Sequence, residues 1–486
     1  MRAFRSPVLL SCLLPAVVAA QQPPAVARLL AVHAELLRFA AARPGALWPG
    51  FRPETIPVVY VVPDQGTLIA GWGSAPLPEG FGGVPGGGPA GSGWMPEASR
   101  GAASTNVSMG GRNAAMVFAG PEMDGALLFG TTIHEAFHVF ERSVQRDDRK
   151  FGSGENSFLV SSYPVFDATN EAGWDLEGRL LGRALDARDH GARALRAREF
   201  VAAREARHRA IGAELAEFED MAELNEGLAE YTLVRSLAVA AADPAFPWRE
   251  AAARQVARHR ARLDSLTADV RQSLRLRFYA TGPAMGVLLD ALAGEGWKAR
   301  LVALDLTMEE ALAEAAGFRD PERALLARAA RAVDTAALGA AARVGVERLR
   351  AIRHAQVDSV LARPGVRVVL RADSLPGARL GLCGIDPQNL LQVSPGVLLH
   401  TRWVRVCGGG AAAEFTTAVV QDRAAGTFTA VVGPDDSVTV TAAGAAVAQP
   451  GTYDAVKVES PSLTFSAPRA MVRRTGSVLE VVPLPK

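Results

Sequence analysis

The sequence predicts an α+β chain: a mostly helical region carrying a small N-terminal sheet, followed by an all-β C-terminal domain. Three observations predict it. Residues from about 123 to 362 are rich in Ala, Leu, Arg and Glu with helical periodicity. Beyond Pro364-Gly365 the texture changes to Val/Thr alternation, as in Ser437-Val438-Thr439-Val440-Thr441, broken by Gly, Pro and Asp turns. Ahead of the helical region, β-branched runs at 56–62 and 114–119 supply strands.

Taken in order, residues 1–20 read as a signal peptide. Arg2 and Arg5 open it, 8–19 is mostly apolar, and Val18-Ala19-Ala20 offers small residues before Gln21. The apolar stretch is too short to span a bilayer. Lipid attachment at Cys12, behind Leu9-Leu10-Ser11, is the competing reading. No later segment is apolar enough to cross a membrane, so the mature chain is expected to be secreted or periplasmic. Residues 24–42 form an amphipathic helical pattern that ends near Pro44, and 80–93 is too dense in Gly and Pro for regular structure. The helical texture breaks near 152–168, 243–247 and 319–321. One domain is expected over 21–362, and a β-sandwich-like or barrel domain over 366–486. With the signal removed, Cys383 and Cys407 remain, and in an oxidising compartment such a pair forms one disulfide. There are 52 Lys+Arg against 51 Asp+Glu, a formal net charge of +1, which argues against a nucleic-acid binder.

The segment Thr131-Thr132-Ile133-His134-Glu135-Ala136-Phe137-His138-Val139-Phe140-Glu141 contains HExxH. On a helix, His134, His138 and Glu141 share a narrow arc, while Phe129, Ile133, Phe137, Phe140 and Val144 occupy another. One face is core, and the other presents two imidazoles one turn apart. That spacing suits two corners of a tetrahedral zinc site, with Glu135 beside them to take a proton from zinc-bound water.

Two histidines need a third ligand. Downstream, Glu219, Glu223, Glu226 and Glu230 form an acidic stripe at helical spacing, opposite Met221, Leu224 and Leu228. Four carboxylates on one face repel and need a cation, solvent or Arg partners. A bound metal explains the stripe most economically.

HEAFH followed by NEGLAEY resembles the gluzincin metallopeptidases, the thermolysin-like and zinc-aminopeptidase superfamily. The resemblance implies a zincin-like fold with His134, His138 and Glu226 as zinc ligands and Glu135 as general base. Glu223 is the alternative third ligand. It further implies that Glu230 is a carboxylate held against a ligand histidine, fixing its tautomer. A third island, Phe278-Tyr279-Ala280-Thr281-Gly282-Pro283, is similar to a gluzincin Tyr-x-x-Gly segment, which implies that Tyr279 donates a hydrogen bond to the developing oxyanion. By the same likeness, strand 114–119 would be a sheet edge that binds extended substrate. The interval from His138 to Glu226 is 88 residues (226 − 138), longer than the family's usual spacing. No GAMEN-type segment accompanies it, so the resemblance does not extend to exopeptidase action on amino termini.

The expected function is a secreted, zinc-dependent hydrolysis of peptide bonds, with a peptide or protein substrate. The alternative is an extracytoplasmic zinc-holding scaffold or partner- or glycan-binding protein without peptidase activity. His190 and His208, among Arg-rich helices, are expected to be solvated. Asn106-Val107-Ser108 fits a glycosylation pattern.

Overall fold

A computed structural model describes residues 22–96, 104–264, 266, 274–319, 322–371 and 379–485. The expected signal peptide at 1–20 and Cys12 lie outside the described residues. The chain is mixed helix and sheet, with a barrel-like all-β C-terminal region. Its helices in order are α1 (Pro24–Ala42), α2 (Gly125–Val144), α3 (Ala168–Leu185), α4 (His190–Ile211), α5 (Ala213–Ala222) and α6 (Leu228–Ala241). There follow α7 (Arg249–Arg262), α8 (Phe278–Ala293), α9 (Trp297–Leu304), α10 (Met308–Ala316), α11 (Glu322–Ala332) and α12 (Thr335–Leu361). The chain divides into two compact units. Of the described residues, the first takes in those within 22–46, 50–140 and 240–251, and the second those within 47–49, 141–239 and 252–485. Among the described residues, no helix is long and apolar enough to cross a membrane.

In the first unit, α1 buries Val26, Leu29, Val32, Leu36 and Phe39, the spacing of a single apolar stripe. Strands β1 (Val58–Val62), β2 (Gly66–Ala70), β3 (Gly93–Met95), β4 (Thr105–Met109) and β5 (Arg112–Phe118) form one sheet in the order β3-β2-β1-β5-β4. β1 and β5 are parallel, and every residue of β1 is buried, as a central strand covered on both faces requires. The strand expected at 114–119 is therefore internal. It pairs with β1 on one side and antiparallel with β4 on the other, so the edge beside it is β4. A local run of β-branched residues reports strand character; its place in the sheet depends on pairings made elsewhere in the chain.

The second unit contains helices and the whole C-terminal β region. Among the described residues, thirteen strands there form one hydrogen-bonded sheet. It includes the parallel pair Val366–Arg371 and Val478–Pro483 and the long antiparallel pair Gly451–Ser460 and Leu463–Thr475. Val404, Phe415, Phe428, Val456, Val458 and Phe465 belong to its core, each on the inward side of an alternating strand. Cys383 and Cys407 form a disulfide across strands Gly381–Ile385 and Val404–Gly408, with Cα atoms 5.9 Å apart. They are 24 residues apart in sequence, so the chain-entropy argument puts the link at about 3–4 kcal/mol. Cys407→Ser is expected to lower unfolding stability by that order in a denaturant titration. A loss below about 0.5 kcal/mol would remove the bridge as a source of stability.

Candidate metal centre

The first half of the site is built on α2. Asp124 caps the helix, its side chain accepting from the Leu127 N–H at 2.8 Å. Phe129, Ile133 and Phe137 are fully buried, and Phe129 and Phe137 pack edge-on against Phe39 and Phe51 at centroid distances of 5.4 and 5.2 Å. Phe140 is half-buried, but Val144, expected on the same face, is 43% exposed because it lies in the last turn. With the apolar face held, the other face carries His134, Glu135 and His138, all buried. The His134 and His138 Nε2 atoms lie 3.2 Å apart with their rings at 78°. Bonds of 2.0–2.1 Å to a tetrahedral zinc place two ligand nitrogens roughly 3.3–3.4 Å apart, so this separation fits two corners of such a site.

Glu226 stands in the second unit. Between α5 and α6, residues Glu223–Gly227 form a single π-helical turn. Such turns insert a residue into the helical repeat and shift the side chains that follow. Gly227 packs on Gly282 of α8 so closely that a Cβ on Gly282 would meet the Gly227 Cα at 2.2 Å. Only two glycines permit this approach. It brings NEGLAEY and FYATGP together. The Tyr279 hydroxyl donates to Glu226 Oε2, and Thr281 Oγ1 donates to Glu223 Oε1 at 2.5 Å. Arg275 Nη2 donates to Glu226 Oε1 at 2.6 Å while its Nε donates to Glu155 Oε1 at 2.8 Å, and Asn225 Nδ2 donates to Glu155 Oε2 at 2.6 Å. Burial, and then the neighbouring Glu226 carboxylate, push the Tyr279 phenol well above its ordinary pKa, so it keeps its proton.

The acidic stripe has the Arg partners that the sequence left open beside a cation. All four carboxylates are buried, and each has its own cationic partner. Glu219 takes both Nη atoms of Arg207 and the Nε2 of His208. Glu223 takes Arg204 Nη1 at 2.6 Å, Glu226 takes Arg275, and Glu230 takes His259 Nε2 at 2.6 Å and Arg262 Nη1 at 3.5 Å. Arg204 and Arg207 both also bind Glu177. His259, which meets Glu230, has its other ring nitrogen facing the Gln255 carbonyl at 2.8 Å.

The histidines among the Arg-rich helices divide. His190 is exposed, as expected, with its Nε2 3.4 Å from the Leu292 carbonyl. His208 is not a solvated side chain, because its Nε2 lies 3.0 Å from Glu219 Oε2 and its Nδ1 3.6 Å from Glu309 Oε2. Asp220 completes this group; one ligand atom from each of His208, Asp220 and Glu309 lies within 4.8 Å of the others. Burial raises the Asp220 carboxyl to about 7 and the Glu309 carboxyl to about 8.

Arg275, Glu155, His259, Arg204 and Arg207 belong to none of the motifs in the sequence. Arg204 and Arg207 do carry a signal: three residues apart, they share a helix face with the period of the acidic stripe. Arg275, 120 residues from Glu155, carries none. No protein family, no curated protein and no solved structure matches this chain.

Proposed function

We propose that the chain is an exported, zinc-dependent peptidase of gluzincin kind on a zincin-like fold, with His134, His138 and Glu226 as the ligands. The observation that carries this reading is the pair of buried imidazoles on α2, whose Nε2 atoms converge at 3.2 Å beside the buried Glu135. It is further supported by the donor set. His134, His138 and Glu226 are all buried, as side chains that hold an ion away from bulk water must be. Two neutral nitrogens and one carboxylate oxygen are the chemistry of a catalytic zinc site that keeps a fourth position open.

When bound, zinc supplies a Lewis acid that polarises a carbonyl and brings the pKa of water toward neutrality. The chain's own residues supply the rest. Glu135 accepts a proton from the water that attacks the scissile carbonyl and returns it to the leaving amine. Arg275 and Tyr279 orient the Glu226 carboxylate through one oxygen each. Tyr279 keeps its proton, and turning that single O–H from Glu226 toward an oxyanion would make it the donor there.

The third ligand is tested by metal content. Glu226→Ala is expected to remove one equivalent of zinc from the purified protein, and Glu223→Gln, which keeps polar partners for Arg204 and Thr281, to remove none. Zinc lost from the Glu223 variant and retained by the Glu226 variant would transfer the role to Glu223.

A further inference from the structure

The ends of three helices in the second unit meet at His208 (α4), Asp220 (α5) and Glu309 (α10). We propose that these three side chains form a second, structural binding site for a divalent transition-metal ion of the zinc type. The inference stands apart from the proposed peptidase centre and shares no ligand with it.

Four observations carry it. One ligand atom from each residue lies within 4.8 Å of the other two. The separation of His208 Nδ1 from Glu309 Oε2 is 3.6 Å, too long for a hydrogen bond. It is close to the roughly 3.4 Å between two ligand atoms of a tetrahedral zinc. Asp220 Oδ1 is buried and has no hydrogen-bond partner among the described residues, a cost that a bound cation removes. The histidine is also already oriented. Its Nε2 lies 3.0 Å from Glu219 Oε2, and a proton held there leaves the Nδ1 lone pair directed at the cluster. A carboxylate behind a histidine in this way is the usual outer support of a metal-bound imidazole. Glu219 is itself fixed by Arg207 and Tyr163, so this orientation is rigid.

The surrounding charge agrees. Facing the cluster are the guanidinium group of Arg204 and the carboxylates of Glu177, Glu219 and Glu223, with Arg207 behind them, paired to Glu177 and Glu219. Two positive charges against three negative leave −1 around the site before its own two carboxyls are counted. With those ionised the total is −3, and a divalent ion brings it to −1. One imidazole with two carboxylates suits zinc or manganese better than the all-oxygen set that calcium and magnesium prefer.

The test is Zn2+ stoichiometry on the full chain, stripped with a chelator and reloaded with Zn2+ alone. The paired variant Asp220→Asn, Glu309→Gln keeps shape and removes both anionic donors. It is expected to bind one equivalent fewer than the unaltered chain, while His134 and His138 still account for theirs. A second arm leaves the cluster intact. With His134 and His138 both replaced by Ala, the chain is expected still to take up one equivalent, lost again when Asp220→Asn and Glu309→Gln are added. If His134 and His138 hold no zinc, the unaltered chain binds one equivalent and the cluster variant none, so failure of that centre and failure of the cluster are distinguishable. Equal zinc uptake with and without the cluster's carboxylates overturns the proposal and leaves a pair of buried acids sharing protons.

Discussion

Glu135→Gln is expected to lower kcat/KM for peptide hydrolysis by about 10²–10⁴-fold, the usual contribution of a positioned general base. In barrier terms this is about 3–5 kcal/mol. The amide has the size and shape of the carboxylate, so the buried face of α2 and the positions of His134 and His138 are undisturbed. Zinc content is therefore expected to match the parent, which separates loss of the base from loss of the metal. The readout pairs metal analysis with cleavage of a broad peptide library under single-turnover conditions, where chemistry rather than product release is observed. KM is expected to change little, because the role proposed for Glu135 is to move a proton and not to hold substrate. A Glu135→Gln variant that cleaves at the parental rate would remove Glu135 as the general base. Zinc without turnover in the parent would instead favour a binding or scaffolding protein.

Arg207→Met is expected to destabilise the second unit by about 3–5 kcal/mol at neutral pH, the cost of leaving a buried charge without its partner. Arg207 binds Glu177 and Glu219, donates to the Tyr163 hydroxyl at 3.2 Å, and lies 4.1 Å over the Trp174 ring. Methionine keeps much of the stem and removes only the fork. Burial pushes the Glu177 and Glu219 carboxyls up, but Arg207 and their other hydrogen-bond and charge partners outweigh it and hold both below the ordinary carboxylate value. Because the folded pKa values are depressed, the stabilisation is complete above the unfolded value near 4.5 and is lost as pH falls toward the folded values. The gap between parent and variant is therefore expected to be widest at pH 7 and to narrow below about pH 4. Urea unfolding at several pH values measures it. A difference under about 1 kcal/mol at pH 7 would show that the network is replaceable by packing.

The acidic stripe shows where a one-dimensional reading fails. Treating 219–230 as an uninterrupted α-helix places four carboxylates on one arc and suggests one cation for them. The π turn at Glu223–Gly227 breaks that repeat, and at it Gly227 and Gly282, 55 residues apart (282 − 227), meet backbone to backbone. The partners that neutralise the stripe come from α4, α7 and the segment before α8. Their Arg and His residues are ordinary in a sequence this rich in arginine. His208 looks solvated in the sequence for the same reason: nothing local distinguishes a histidine facing water from one facing Glu219 and Glu309.

By itself, the sequence determined whatever depends on neighbours within a few turns or strand residues. That covers the two faces of α2 with the histidines one turn apart, helix α1, the alternating C-terminal strands, and the pairing of Cys383 with Cys407. Tertiary structure alone decided that β5 is internal to its sheet, that Tyr279 and Arg275 hold Glu226, and that each buried glutamate has a cation of its own. These choices pair groups separated by tens to hundreds of residues. Burial then selects the partner, because an unmatched charge away from water costs more than any local preference can offset.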